Sequence, residues 1–247
     1  MILEINPTSK INGARAAECT AELLKKAIKA NGEARLLVST GASQFEMFES
    51  LVTLDVDWSK VEVFHLDEYV GLPYDHPASF RKYLTERFVN LLPSPLKAMN
   101  FVNGELEVKS MIKDLSAKIN SKPIDVGLIG IGENSHIAFN DPPADFDTDE
   151  AYIIVELDEK CKAQQVGEGW FAKPEDIPTQ AISMSVKQIM KCKTIISVVP
   201  YPVKAEAVYN TMNKPFSNMF PSTMLKKHGD WRLYVDYDSA KLIYNID

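Results

Sequence analysis

Three cysteines in 247 residues, Cys19, Cys161 and Cys192, are too few and too scattered for a disulfide framework or a thiolate metal site. An odd number of thiols suits a reducing compartment. No apolar run approaches membrane-spanning length, and the start Met-Ile-Leu-Glu-Ile-Asn-Pro lacks the basic residues and long apolar core of a secretion signal. A soluble cytoplasmic protein with no membrane partner is the expectation. Positive charge is not in excess either. A net charge of −7 argues against a nucleic-acid partner. It leaves an anionic small molecule open, because a few backbone amides and one lysine can hold a phosphate locally. Repeats, low-complexity tracts and linkers are missing, and the proline-rich spots near residues 73–77, 93–95 and 142–143 are short. What is present is ordinary globular material, 45% hydrophobic and 25% charged, which can build a sizeable core. One domain over 1–247 is the expected organisation.

Apolar patterning alternates between strand and helix. Residues 12–31 predict a helix, with Ala16, Ala17, Leu23, Leu24, Ala27 and Ile28 mainly on one face and Asn31-Gly32 as the stop. Short strands are predicted at Leu36–Val38, Val61–Leu66, Asn100–Val102, Tyr152–Val155, Ala181–Met184, Thr194–Val199 and Trp231–Val235. Helices are predicted after Ser43, over 79–92, over 105–120 and from Pro202 through Val208. A central strand holds Ile124, Val126, Leu128, Ile129 and Ile131, too short and glycine-broken for a helix. Such alternation implies βαβ crossovers and a mostly parallel sheet covered on both faces.

A parallel sheet brings its strand ends to one edge, so four of them are read together. After the central strand, Gly130 and Gly132 permit a sharp turn, and His136 follows, flanked by Asn134 and Asp141. An imidazole there can move protons near neutral pH with a carboxylate fixing its tautomer; a core histidine is the plainer alternative. Ser39-Thr40-Gly41-Ala42-Ser43 is a small-residue turn opening a helix, suited to an anion or to simple capping. It is neither a GxGxxG fingerprint nor a Walker loop. Asp67-Glu68 ends another strand and offers a general base, or a cap for the next segment. His65, Asp67 and Glu68 make a poor metal set, since consecutive strand residues point to opposite faces. Lys204 falls near a helix start, where a cation opposes the dipole unless it meets a ligand anion or solvent.

Asp67-Glu68-Tyr69-Val70-Gly71-Leu72, then Gly130-Ile131-Gly132-Glu133-Asn134-Ser135-His136-Ile137-Ala138-Phe139-Asn140-Asp141-Pro142, then Lys204-Ala205 resemble the glucosamine-6-phosphate deaminase (isomerase) family. The likeness runs from the Ser39–Ser43 turn to Ser222–His228, and His-Ile-Ala-Phe-Asn is its specific part. The related 6-phosphogluconolactonases share the fold and a Gly-His loop. There Ala/Thr-Ala-Ser-Leu-Phe typically follows the histidine, and the Asp-Glu-Tyr-Val-Gly-Leu strand end is lacking in this form. The resemblance implies a three-layer α/β/α sandwich with a Rossmann-like sheet. It implies conversion of an amino-sugar 6-phosphate into a ketose 6-phosphate and ammonia, with no metal or cofactor. It implies that Asp67 moves a proton between C2 and C1 and that His136 opens the sugar ring by protonating its oxygen. Asp141 takes the place of the histidine's acidic partner and Asn134 that of a second acid. The Ser39, Thr40, Gly41, Ala42 and Ser43 turn and Lys204 correspond to the phosphate grip.

Four departures mark a divergent branch. Asn134 stands for an aspartate, Asp141 for a glutamate one methylene longer, and Ser135 for a glycine. The family's phosphate-binding arginine ahead of the aromatic pair is not found; Gln164–Phe171 is longer here, and Gly169 precedes the aromatics. The shorter Asp141 would have to rebuild its contact with His136 or bridge it through water. The competing readings are a 6-phosphogluconolactonase-type hydrolase and a non-catalytic sugar-phosphate sensor. Monomer and homo-oligomer both fit the sequence.

Overall fold

The computed structural model describes residues 1–157, 162, 166, 167 and 169–244. Cys161 and, within the Gln164–Phe171 stretch singled out above, Gln164, Gln165 and Glu168 lie outside the described residues. Seven strands form one sheet in the order β1-β10-β9-β6-β2-β3-β5, every neighbouring pair parallel. They are β1 (Ile2–Asn6), β2 (Ala34–Val38), β3 (Val61–His65), β5 (Ala98–Asn100), β6 (Val126–Leu128), β9 (Thr194–Val199) and β10 (Trp231–Asp236). Strands β4 (Asp67–Tyr69), β7 (Tyr152–Glu156) and β8 (Gln180–Met184) make a separate antiparallel sheet in the order β4-β8-β7.

Alternation along each strand divides the apolar residues between two layers. Leu36 and Val38 of β2 join Val63, Val126 and Ile196 in a layer with Ala16, Ala17 and Leu24 of α1 (Ser9–Asn31), Met47, Phe48 and Leu51 of α2 (Phe45–Leu51) and Leu84 of α3 (Phe80–Arg87). Leu37, Phe64, Ile195 and Leu233 face the other way. They pack with Met111, Leu115 and Ile119 of α4 (Val108–Asn120), Val186 and Ile189 of α5 (Val186–Ile189), Val208 of α6 (Ala205–Asn213) and Ala240 of α7 (Tyr237–Ala240). The result is the expected α/β/α sandwich.

Local chemistry explains where elements differ from expectation. The helix read over 79–92 ends at Arg87, because Phe88 leaves helical geometry to seat its ring against Phe48 and Trp58. The helix read from 105 starts at Val108, because the Glu107 side chain accepts from the amides of Lys109 and Ser110. The strand placed at Asn100–Val102 is Ala98–Asn100. The strands at Tyr152 and Ala181 belong to the small sheet and not to the main one. Strand β1, Ile-Leu-Glu-Ile-Asn at the sheet edge, escaped the sequence reading.

Candidate active site

Strands β2 and β6 are neighbours whose onward connections run in opposite directions, β2 to β3 and β6 to β9. Such a switch point opens a crevice beyond the strands' carboxyl ends. A cavity of about 600 Å³ lies there. The four strand ends read from the sequence reach it: Ser39–Ser43 after β2, Asp67 after β3, Gly130–His136 after β6 and Lys204 after β9.

Asp67 owes its place to a change of sheet. Leu66 is the hinge: its amide donates to Val38 O in the parallel sheet, while its carbonyl accepts from Met184 in the antiparallel one. Asp67 then pairs with Ser183 of β8 and lines the cavity, 6% exposed. Burial raises its pKa well above the usual carboxylate value, and the neighbouring Glu68 charge adds to the rise. Glu68 faces elsewhere. Its carboxylate accepts from the amides of Tyr69, Phe80 and Arg81, from Ser79 Oγ and from Arg81 Nε. Of the two alternatives the sequence left for this pair, the cap falls to Glu68, at the start of α3, while Asp67 is left facing the cavity.

His65 lies on the far side again, fully buried between Phe80 and Phe101, with neither ring nitrogen hydrogen-bonded. Burial, reinforced by the Arg81 charge, lowers its pKa to about 3. Three polar side chains within four residues, His65, Asp67 and Glu68, thus have three different surroundings. Among the described residues no group of three His, Cys, Asp or Glu side chains could hold a metal ion.

The histidine loop is folded on itself. Gly132 N donates to His136 O and Ser135 N to Gly132 O, both at 2.9 Å. Asn140 Nδ2 ties the far end to Ile137 O and Met184 O. Neither Gly130 nor Gly132 takes positive φ, so the turn that Gly132 O closes with Ser135 N does not draw on a glycine's left-handed freedom. Gly132 is needed for contact: a Cβ there would lie 2.2–2.5 Å from the His136 ring. Positive φ falls instead on Ser135, at 70°, and on Ala138, at 50°.

His136 Nδ1 lies 3.0 Å from Asp141 Oδ1, although the N–H direction misses hydrogen-bond alignment. The shorter aspartate therefore reaches the imidazole directly, without a bridging water. The Asn134 side chain hydrogen-bonds the partners of the ring and not the ring itself. Its Oδ1 accepts from the His136 amide at 3.0 Å and its Nδ2 donates to Asp141 Oδ1 at 2.9 Å, so it holds both partners in place.

The Ser39–Ser43 turn carries a buried, unpartnered hydroxyl on Ser39, which is 5% exposed. Gly41 has φ 102° and its carbonyl accepts from Tyr83 Oη at 2.8 Å, which anchors the turn to α3. On the opposite side Tyr201 takes φ 81°, an outlier for a bulky residue. It is pinned by its amide donating to Asp236 and its hydroxyl donating to Glu46 at 2.7 Å. Lys204 closes the 3-10 turn Pro202–Lys204 that follows.

The family described as glucosamine-6-phosphate isomerases/6-phosphogluconolactonase matches residues 8–233. A protein from Streptococcus pneumoniae serotype 4 named glucosamine-6-phosphate deaminase is 35% identical over 239 residues, 94% of this chain and 97% of that one. The chain belongs to this family. Among solved structures, a monomeric glucosamine-6-phosphate deaminase superposes with a TM-score of 0.89 at 27% identity, covering 98% of this chain and all of the other. The 6-phosphogluconolactonase of Trypanosoma brucei superposes at 0.80 with 13% identity over 98% of each chain, a likeness of fold alone.

Within the glucosamine-6-phosphate isomerase/6-phosphogluconolactonase family fold, every site residue read from the sequence borders this cavity or, for Asn134 and Asp141, braces the histidine that does. Sequence reasoning missed Tyr201, Tyr83 and Arg87, which complete the walls. Tyr83 and Arg87 read only as one face and end of a helix, and no spacing rule marks them. Tyr201 was signalled by its place between two prolines at a strand end.

Proposed function

We propose that the chain is an amino-sugar-phosphate deaminase/isomerase, acting as a single domain over 1–247, that turns glucosamine 6-phosphate or galactosamine 6-phosphate and water into a ketose 6-phosphate and ammonia. One observation carries this reading. A desolvated carboxylate, Asp67, and a carboxylate-braced imidazole, His136, border the same cavity as the Ser39–Ser43 turn and Lys204. The domain assignment is supported by the pairing of β1 with β10, which ties the two ends of the chain into one sheet.

In this reading the turn and Lys204 hold the phosphate, whose binding energy orients the distant reacting carbons. His136 protonates the ring oxygen and the ring opens to an aldehyde. Asp67 removes the C2 proton, giving an enolamine, and returns a proton to C1. The imine left at C2 takes up water and releases ammonia. Burial raises the basicity of the Asp67 carboxylate toward that required to accept a carbon-bound proton. No metal or cofactor is required by these steps.

The test is an assay of ammonia release across amino-sugar 6-phosphates beside hydrolysis of 6-phosphogluconolactone. Ammonia from glucosamine or galactosamine 6-phosphate is expected. Lactone hydrolysis without ammonia would favour the hydrolase. Binding without turnover of either would favour a sensor.

A further inference from the structure

We propose that Arg87 is a second substrate-binding cation, donating from α3 to the phosphate held at the Ser39–Ser43 turn; this rests on the function proposed above. The chain has five arginines. Arg15, Arg35, Arg81 and Arg232 each pair with a carboxylate. Arg87 does not pair with one among the described residues, and none of them accepts a hydrogen bond from it. It is held by rings instead. Its guanidinium carbon lies 3.9 Å from the Phe45 centroid and 5.7 Å from that of Tyr83. These two rings are themselves stacked, 5.8 Å apart.

That support fixes where the charge points. Phe45 follows the turn by two residues, and Tyr83 donates its hydroxyl to Gly41 inside it. Both rings and Arg87 border the cavity. A guanidinium stacked on ring faces keeps its in-plane N–H donors free, the geometry suited to two parallel bonds to a phosphate. The buried Ser39 hydroxyl, without a partner, opens on the same cavity. A cation at the last turn of α3 also complements that helix's dipole. The dipole would be served by a side chain in any direction, whereas the Phe45–Tyr83 stack aims this one at the turn.

The experiment measures inorganic phosphate binding by calorimetry, and steady-state ammonia release from glucosamine 6-phosphate, for the wild-type chain, Arg87→Met and Arg87→Lys. Arg87→Met keeps the stem that packs on Phe45 but loses the charge, and its thermal midpoint checks that folding is intact. We expect its phosphate affinity to fall about tenfold and its KM to rise by a similar factor, a loss of one charge-assisted contact. Arg87→Lys should recover part of both. Phosphate affinity and KM within twofold of wild type in Arg87→Met would overturn the proposal, as would a raised KM with phosphate affinity unchanged. If the wild-type chain released no ammonia, the proposed reaction would fall, while the phosphate measurement would still decide the role of Arg87.

Discussion

Asp67 illustrates how the fold sets the chemistry of one group at the expense of stability. Its pKa is higher in the folded chain than the ordinary 3.8, so the buried site favours the neutral acid. That contribution to folding is complete below the ordinary value and is lost as pH rises through the folded one. At neutral pH Asp67→Asn should therefore unfold at a higher temperature than wild type, with the gap narrowing toward pH 4. Its kcat for ammonia release should fall about 10²–10⁴-fold, the scale of a lost general base. Calorimetric melting and the ammonia assay check the two halves. His65 shifts the opposite way. Neutral in the fold down to about pH 3, it lets the unfolded chain bind a proton first as pH drops below 6.5. Stability supplied by the neutral ring is thus intact above 6.5 and is lost between 6.5 and about 3. Between pH 7 and 5 the wild type should lose about 2 kcal/mol more than His65→Leu, read from urea midpoints at the two pH values.

Among the elements, the loop after β6 combines rigidity with strain. Ser135 is fully buried at φ 70°, its hydroxyl unpartnered while its carbonyl accepts from Ser222. A left-handed serine costs about 1–2 kcal/mol, and glycine would relieve it. Ser135→Gly should raise stability by roughly that amount in chemical denaturation, since the hydrogen bonds that shape the loop are backbone ones. A lower midpoint would show that the buried hydroxyl is stabilising after all. Other elements show why parts of the site were legible in the sequence. Asp67, His136 and Lys204 follow apolar strand runs, and strand ends in α/β sheets gather at one edge whatever the helices do. Tyr83 and Arg87 were not legible, because their role depends on how far α3 leans toward the Ser39–Ser43 turn. The division of labour between Asp67 and Glu68 was equally hidden, since it depends on β4 leaving the main sheet to pair with β8.

At the scale of the whole molecule the site is built from β2, β3, β6 and β9 of one sheet, plus β4 of the second. The two sheets are joined at Leu66, by hydrogen bonds on both sides of a single residue. Activity and far-ultraviolet circular dichroism should accordingly be lost together as urea is raised. Activity disappearing at clearly lower urea would show that the small sheet opens first and carries Asp67 away.

The sequence by itself determined the layer architecture and the chemical inventory. Period-2 and period-3.6 apolar patterns dictate which faces must be buried, and the motif around His136 has few other uses. Only the tertiary structure decided that Asp141 reaches the imidazole directly, that Asn134 braces rather than pairs, and that Gly132 leaves room for the His136 ring. It also decided that Arg87 faces the cavity without a carboxylate partner among the described residues. These are matters of distance between segments far apart in the chain, and such distances follow from packing, which no local pattern encodes.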